Sequence, residues 1–317
     1  MSRTYSQSVS AWALVGSRIF LAIATLACAP IALGQDSPVD KINAAAAQSD
    51  IKATPLRSGV SMLEGSGGNI GVLVTPREKF MVDSGIAVSK DKLSRALAEL
   101  GPATVTHVID THWHWDHTDG NAWLHDAGAQ IIAHPRTATY LARTEVVDDW
   151  RHSFDALPAS GRPTTLVSRH KRFLVGSEKI DVEAIPPAHT DGDLFVRFHN
   201  ADVLFVGDTY WNGMYPFIDN KHGGSIDGMI RAADRGLQMS GKNTIIVPGH
   251  GPIATRADLE AYRSLLQAIR NNVAKLKGEG KSLEATIAAK PTAAYDAKWG
   301  NSLIDPAFFT RLVYDGL

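Results

Sequence analysis

The sequence contains one cysteine, Cys28, among 317 residues, so it offers no internal disulfide and no thiolate-rich zinc or iron–sulfur site. It also has little net charge, because 32 basic residues stand against 33 acidic ones. The chain therefore lacks the strong positive field that holds proteins on nucleic acid, and we exclude that partner. With 44% hydrophobic and 21% charged residues, its composition is that of a folded soluble domain rather than a disordered or fibrous chain.

Long apolar runs are scarce too, and the main charge-free run lies near the amino terminus. Arg3 and Arg18 precede or flank the stretch 19–33, which is rich in Leu, Ala and Ile and is followed by small residues. This order is typical of a cleaved secretory signal peptide. We therefore expect residues 1–34 to be removed and the mature chain, 35–317, to be periplasmic or secreted.

Two alternatives to cleavage remain open from the sequence. A membrane anchor would need about 20 apolar residues, and the run is shorter than that. Lipidation of Cys28 would need a different order of residues than the Thr-Leu-Ala that precedes it. We favour cleavage, which leaves no stable membrane span and no cysteine in the mature protein, as suits an oxidising compartment.

Short β-branched runs alternate with helical patterns along the rest of the chain. Such mixing predicts an α/β fold with helices on the sheet faces, and no linker divides the sequence after residue 50 into separate domains. The glycine-rich segment Gly65–Gly68 is interpreted as a hairpin connection. The predicted strands are 70–74, 80–82, 105–109, 130–133, 180–185, 202–206 and 244–247, and the predicted helices are 90–100, 226–239 and 257–276.

The segment 112–117, with the sequence His-Trp-His-Trp-Asp-His, follows directly after a predicted strand. Residues two apart in an extended loop point in the same direction, so His112 and His114 can share one metal ion. Asp116 and His117 then turn toward a second ion. Zinc binds imidazole nitrogens and carboxylate oxygens at about 2.0 to 2.2 Å, so these side chains suit it without any cysteine.

Three further polar residues, His189, Asp208 and His250, each follow a predicted strand where its apolar character ends. A single histidine is more often structural than a ligand. Three candidates at three strand ends, together with the 112–117 motif, favour a metal site. A carboxylate at Asp208 can bridge two cations.

Two more acidic residues, Asp83 and Asp110, stand at the ends of predicted strands. Carboxylates in such positions can fix the orientation of a metal-binding histidine. They can equally form turns, and the sequence leaves both roles open.

These seven candidate ligands resemble the complete ligand set of the metallo-β-lactamase superfamily. The resemblance spans about residues 59–252 and implies an αβ/βα four-layer sandwich, formed by a single domain with a helical C-terminal tail. It implies two Zn²⁺ ions per chain, with Fe or Mn as alternatives. By that match His112, His114 and His189 hold the first ion, Asp116, His117 and His250 hold the second, and Asp208 bridges them.

The resemblance implies an exported hydrolase that acts on a small-molecule carbonyl compound: a cyclic amide such as a β-lactam, a lactone, an ester or a thioester. Because a metal lowers the pKa of its water to about 7, a metal-bridging hydroxide is the expected nucleophile, and Asp116 is the catalytic residue expected to orient it. The ligand set resembles that of glyoxalase II, since Asp208 stands where zinc β-lactamases carry Cys or Ser. Trp211 stands where acyl-homoserine lactonases carry Tyr. The sequence does not rank these substrates.

Aromatic residues lie close to the candidate ligands in the sequence, and one further histidine lies on a glycine-flanked loop. We expect these residues to contact the substrate in a partly apolar pocket. They are Trp113, Trp115, Trp211 and His222.

Other functions in the same superfamily remain open. The main alternative is an oxidoreductase similar to persulfide dioxygenases, which hold one iron through residues matching His112, His189 and Asp208. Flavin–diiron reductases carry Glu where this chain has His114. A nuclease is disfavoured by the leader and the neutral charge. A non-catalytic metal-stabilised module is disfavoured because structural zinc sites are usually closed by four ligands.

Overall fold

The computed structural model describes residues 1–2 and 37–317. Residues 3–36, which contain most of the predicted leader and Cys28, lie outside the described residues, so cleavage and lipidation stay predictions. From Ser37 onward the chain forms one unit by its internal contacts. Within the described ranges, no helix combines the length and the apolar character that a bilayer span requires.

The described residues contain strands and α-helices in an alternating order. The strands are β1 Lys52–Arg57, β2 Val60–Glu64, β3 Ile70–Val74, β4 Glu78–Val82, β5 Thr104–Ile109, β6 Gln130–Ala133, β7 Glu145–Val147, β8 His152–Phe154, β9 Thr165–Leu166, β10 His170–Val175, β11 Glu178–Ala184, β12 Leu194–Phe198, β13 Val203–Phe205 and β14 Ile245–Val247. The helices are α1 Pro38–Gln48, α2 Lys90–Glu99, α3 Trp115–Thr118, α4 Asn121–Asp126, α5 Pro135–Leu141, α6 Ile226–Met239, α7 Arg256–Gly278, α8 Leu283–Ala288, α9 Asp296–Trp299 and α10 Pro306–Asp315.

Two sheets form the centre of the fold. The first has the order β1-β2-β3-β4-β5-β6-β9, and the second has the order β10-β11-β12-β13-β14. In the first sheet β1 to β4 are antiparallel neighbours, whereas β4, β5, β6 and β9 run parallel. In the second sheet only the β13–β14 pair is parallel. Strands β7 and β8 form a separate hairpin.

Side-chain alternation explains how the layers pack. In β4, Phe80 and Val82 face the other sheet, while Met81 between them joins the cluster under helix α2. On the second sheet, Ile180 and Val182 of β11 face inward in the same way. Helices α6 and α7 cover its outer face. The layers therefore follow the order helix, sheet, sheet, helix, which confirms the four-layer αβ/βα arrangement.

The predicted elements largely match the observed ones. Helix α6 has the predicted bounds, and the helical tail begins with α7, whose first turn is closed by a capping box between Thr255 and Asp258. Segment Gly65–Gly68 connects the antiparallel strands β2 and β3, which confirms the predicted hairpin connection. Seven strands were not predicted: β1, β2, β7, β8, β9, β10 and β12. The edge strands β1, β9 and β10 are partly polar and partly exposed, whereas β2 and β12 are mostly buried and lie inside the sheets.

The packing between the sheets predicts a large loss of stability for Phe198→Ala. Phe198 is fully buried and its ring packs edge-on against Phe80 and Phe205. We expect a loss of about 3 to 5 kcal/mol, measured by urea unfolding of the metal-free protein. Leu174→Ala in the same sheet is the control, because Leu174 is 70% exposed and its loss should stay within about 0.5 kcal/mol. Equal losses in the two variants would contradict the assigned packing.

Candidate metal centre

The candidate ligands lie at sheet edges because of strand direction. The parallel strands β4 and β5 end at the same edge, which brings Asp83 next to the loop that carries residues 110–117. In the second sheet β11, β13 and β14 all run in one direction, since β12 is antiparallel to both β11 and β13. The residues that follow these three strands therefore also share one edge.

Four of the side chains form the first ligand group: His112, His114, His189 and Asp208. His189 Nε2 lies 3.0 Å from His114 Nδ1. Asp208 Oδ2 lies 3.8 Å from His112 Nε2 and 3.7 Å from His189 Nε2. Three imidazoles and one carboxylate thus point their free atoms at a common space.

The other three side chains form the second ligand group: Asp116, His117 and His250. His250 Nε2 lies 3.3 Å from Asp116 Oδ2 and 3.3 Å from Asp208 Oδ2. His117 Nε2 lies 3.1 Å from Asp208 Oδ1. Asp208 therefore presents its carboxylate to both groups, which is the position that a bridging ligand needs.

The donor atoms of both groups fit metal ions. Within each group they lie within 4.8 Å of one another, and the donors are imidazole nitrogens and carboxylate oxygens. His112 Nε2 is buried without a hydrogen-bond partner, which is costly unless something else binds it. The structure thus brings together all seven of the side chains predicted as ligands, in two groups that could each hold a metal.

Most of these histidines are held in place by a contact to the ring nitrogen that does not face the other candidate ligands. His117 Nδ1 lies 2.8 Å from Asp83 Oδ2, and His189 Nδ1 lies 3.0 Å from the carbonyl oxygen of Phe217. Thr111 Oγ1 donates to Asp83 Oδ2 and lies 3.1 Å from His112 Nδ1. Such partners set the tautomer and the ring orientation of a metal ligand.

The two acidic residues left open by the sequence have different roles. Asp83 contacts His117 directly and also accepts a hydrogen bond from the backbone N–H of Thr111. The backbone φ of Asp83 is 63°, a conformation that few residues other than glycine adopt. Asp110 instead accepts a hydrogen bond from Asn121 Nδ2 at 2.9 Å. Asp83 therefore orients a candidate ligand, whereas Asp110 fixes the neighbouring helix α4.

A buried chain of polar contacts supports His114. Its Nε2 lies 3.0 Å from Asp219 Oδ2, and Asp219 in turn lies 2.7 Å from His222 Nδ1. His222 Nε2 lies 3.2 Å from Glu145 Oε2, and Arg143 Nε donates to the other oxygen, Glu145 Oε1. The sequence did not reveal Asp219 or Glu145, because neither follows a predicted strand and the contacts join segments far apart in the chain.

The site cavity, of about 210 Å³, lies beside the ligands. Of the residues predicted to contact substrate, Trp115 and Trp211 line it. Trp113 and His222 are not among its lining residues. His222 belongs to the chain behind His114, and Trp113 is buried between its ring neighbours Tyr140, Phe154 and His222. The lining residues are Ile42, Gly67, His114, Trp115, Asp116, Trp150, Asp208, Trp211, Met214, Phe217, His250 and Leu303.

A neighbouring cavity of about 340 Å³ shares Trp115 with the site cavity. Trp113, Tyr140 and Phe154 contribute to its walls. The Trp115 ring stacks on Phe154 with ring centroids 5.1 Å apart, and its Nε1 donates to Asn43 Oδ1 of α1 at 3.0 Å. Trp115 thus forms the wall between the two cavities.

In the first ligand group, burial keeps His112 and His189 neutral. It lowers the pKa of His112 well below its ordinary value. It also lowers the pKa of His189 to about 4, with a further contribution from the nearby His114. A metal entering this group at neutral pH therefore meets two imidazoles, His112 and His189, that each have an unprotonated nitrogen.

In the second ligand group, nearby carboxylates together affect the pKa values of the histidines more than burial does. Burial alone would lower the pKa of His117 and His250, but Asp208 and Asp116 outweigh it. The pKa of His117 is raised well above its ordinary value, and that of His250 is raised to about 9. Without a metal, this group holds protons at neutral pH.

Glycine allows two backbone segments to approach the ligands. A Cβ on Gly249 would lie 1.9 Å from Asp208 Oδ1, and a Cβ on Gly68 would lie 2.1 Å from the His117 ring. Real Cβ atoms do not come so close to other atoms. Gly68 belongs to the β2–β3 connection, so the hairpin loop predicted from the sequence forms part of the site.

Comparisons with known proteins agree with this geometry. The family model of the metallo-β-lactamase superfamily matches residues 63–272. A hydroxyacylglutathione hydrolase from Polaromonas sp. (strain JS666) is 26% identical over 205 residues, which cover 60% of this chain and 70% of that protein. Another from Rhodospirillum rubrum is 30% identical over 118 residues, which cover 37% of this chain and 38% of that protein.

Solved structures of low sequence identity share the fold. The DIM-1 metallo-β-lactamase is 20% identical with a TM-score of 0.56, and the match covers 69% of this chain and 98% of that one. A metallo-β-lactamase from Pontibacter korlensis is 20% identical with a TM-score of 0.55, covering 69% of this chain and 99% of that one. At this identity the likeness supports the fold alone.

The charge states of the two groups predict different pH dependences of metal binding. The second group must lose protons to bind a metal, so its affinity should rise about tenfold per pH unit for each proton displaced, up to about pH 9. The first group should show a smaller change above pH 6.5, because burial already keeps His112 and His189 neutral. Calorimetric zinc titrations in buffers of different ionisation enthalpy measure the protons released. Equal release at both steps would contradict this assignment.

The close approach at Gly249 predicts that Gly249→Ala weakens metal binding. The added methyl group must displace Asp208, so we expect at least about a tenfold loss of metal affinity. Metal content after gel filtration, measured by mass spectrometry, checks this. Gly278→Ala is the control, because a Cβ there meets no atom within 4 Å. Full metal content in Gly249→Ala would show that the site tolerates the displacement.

Proposed function

The chain belongs to the metallo-β-lactamase superfamily, whose family model matches most of its length, and we propose that it is an exported dinuclear zinc hydrolase of a small carbonyl compound. The observation that carries the proposal is the position of Asp208, whose carboxylate faces the histidines of both ligand groups. A single ion would not need a carboxylate shared between two groups. The relatives named as hydroxyacylglutathione hydrolases support the hydrolase class.

Each ligand residue has a defined task in this proposal. His112, His114 and His189 would hold one ion, and Asp116, His117 and His250 would hold the other, with Asp208 between them. Two zinc ions supply Lewis acidity and a water of lowered pKa at neutral pH. The chain needs no serine or cysteine nucleophile.

Asp116 is the proposed catalytic residue. Its carboxylate lies at the wall of the site cavity and 3.3 Å from His250 Nε2, so it faces both a candidate ligand and the space for substrate. From this position Asp116 would orient the attacking water. Asp83 and Asp219 would keep His117 and His114 in the required orientations.

The substrate is a compound with a carbonyl carbon open to attack. An ester, a lactone, a thioester and a cyclic amide all have this feature. Trp115, Trp150 and Trp211 line the site cavity beside the ligands, so a bound substrate would be partly shielded from bulk water. Electrostatic stabilisation of the developing charge is stronger in such surroundings.

Export remains part of the proposal on the strength of the sequence. The basic residues and the charge-free run before residue 34 carry this inference. Expression of the full chain in a bacterial host, followed by fractionation and amino-terminal sequencing, tests it. A mature protein that starts near Gln35 in the periplasmic fraction is expected, and an uncleaved cytoplasmic chain would contradict export.

Metal removal and the Asp208→Ala variant test the hydrolase directly. Chelator treatment should abolish hydrolysis of the best substrate among an aryl ester, a lactone, a thioester and a β-lactam, and zinc should restore it. Asp208→Ala should lower kcat/KM by at least about 100-fold because it removes the shared ligand. Asp234→Ala on the exposed part of α6 is the control and should retain activity.

Metal analysis of the purified protein separates the two enzyme classes. Two zinc ions per chain support the hydrolase. One iron per chain with no hydrolysis of any substrate would favour the oxidoreductase alternative, in which His112, His189 and Asp208 suffice.

A further inference from the structure

Candidate metal ligands line one part of the site cavity, and apolar residues line the rest. Beyond the ligands and Gly67, every described residue that lines the cavity is aliphatic, aromatic or Met. No Lys, Arg, Ser, Thr, Asn or Gln occurs among the described lining residues. These walls are Ile42, Trp115, Trp150, Trp211, Met214, Phe217 and Leu303.

The polar atoms within these walls are few and neutral. Trp115 Nε1 is engaged by Asn43, while the Nε1 atoms of Trp150 and Trp211 are buried without partners. An indole N–H is an uncharged donor, and the N–H groups of Trp150 and Trp211 are not exposed at the cavity surface, so the walls present no charged group. Arg143 lines the neighbouring cavity instead, where it is paired with Glu145 at 2.5 Å.

Two of the walls come from segments outside the family match at 63–272. Ile42 belongs to α1, and Leu303 lies between α9 and α10. The substrate preference of relatives therefore does not transfer through the matched region alone. The cavity also limits the size of the substrate, since its volume of 210 Å³ is below the range of about 300 to 1,000 Å³ that is typical of ligand pockets.

We propose that the substrate is a small, uncharged carbonyl compound whose group beyond the carbonyl is apolar, such as a neutral ester or lactone. This inference rests on the proposed hydrolase function and specifies its substrate class. It also predicts that hydroxyacylglutathione and β-lactams are poor substrates, because both carry carboxylates. A carboxylate placed among these walls, away from the candidate metal ligands, loses its water and meets no cationic side chain.

Matched esters test the proposal in the zinc-loaded mature protein. 4-Nitrophenyl butyrate and the mono-4-nitrophenyl ester of succinate share the leaving group and nearly the same length, and they differ by one terminal carboxylate. We expect kcat/KM to be about 100-fold or more higher for the butyrate ester. Equal rates, or a faster succinate ester, would overturn the proposal.

A binding measurement keeps the substrate class separate from the hydrolase function. 2-Hexanone and 5-oxohexanoate are a neutral and an anionic ketone that cannot be hydrolysed, and the wall tryptophans report binding by fluorescence. Tighter binding of 2-hexanone without hydrolysis of any ester supports the neutral ligand class while the hydrolase function fails. Equal or tighter binding of 5-oxohexanoate overturns the ligand class, whatever the ester rates are.

A charge added to the wall provides the reciprocal test. Leu303 lines the cavity and is 47% exposed, so Leu303→Arg can place a cation at the rim. We expect the ratio of succinate to butyrate kcat/KM to rise by about tenfold. Leu174→Arg, on an exposed residue outside this cavity, is the matched control and should leave the ratio unchanged. An unchanged ratio in Leu303→Arg counts against the proposal.

Discussion

The structure depends on the burial of the Asp208 carboxylate among histidines. Asp208 is 3% exposed, and a carboxylate so buried is stable only when opposite charges or donors surround it. His117 and His250 supply them, and nearby His112 supplies a further contact. Asp208 and these three histidines come from three separate strand ends, after β13, β5 and β14. Surrounding this charge therefore requires the edges of both sheets to meet at the site.

Strand direction explains how much of the site the sequence could reveal. Ligands after β5, β11, β13 and β14 could be predicted, because each follows an apolar run, and strands that run in one direction end at one edge. Asp219 and Glu145 could not, since neither follows a predicted strand and their contacts to His114 and His222 span 105 and 77 residues of sequence. Trp113 was expected at the substrate, but the loop enters α3 at Trp115, which directs the two tryptophans differently.

The candidate metal ligands and the cavity walls lie in different parts of the sequence. The ligand atoms and their supports lie within the matched region of the family, whereas Ile42 and Leu303 do not. Local sequence patterns indicate ligands because few residue types bind metal. They do not indicate cavity walls, because apolar residues are equally common in any core. The cavity walls can be identified only from the folded structure, in which α1, the β7–β8 hairpin and the C-terminal tail lie around the edge of the sheets.

The glycines beside the ligands have a consequence for how such an enzyme can diverge. Gly68 and Gly249 leave no room for a side chain, so the positions nearest the chemistry are closed to variation. Ile42, Trp150 and Leu303 lie on three separate segments that carry none of the seven candidate ligands. We therefore expect natural variation and laboratory evolution to change these segments one at a time. Each change would alter the substrate specificity while the metal centre stays constant.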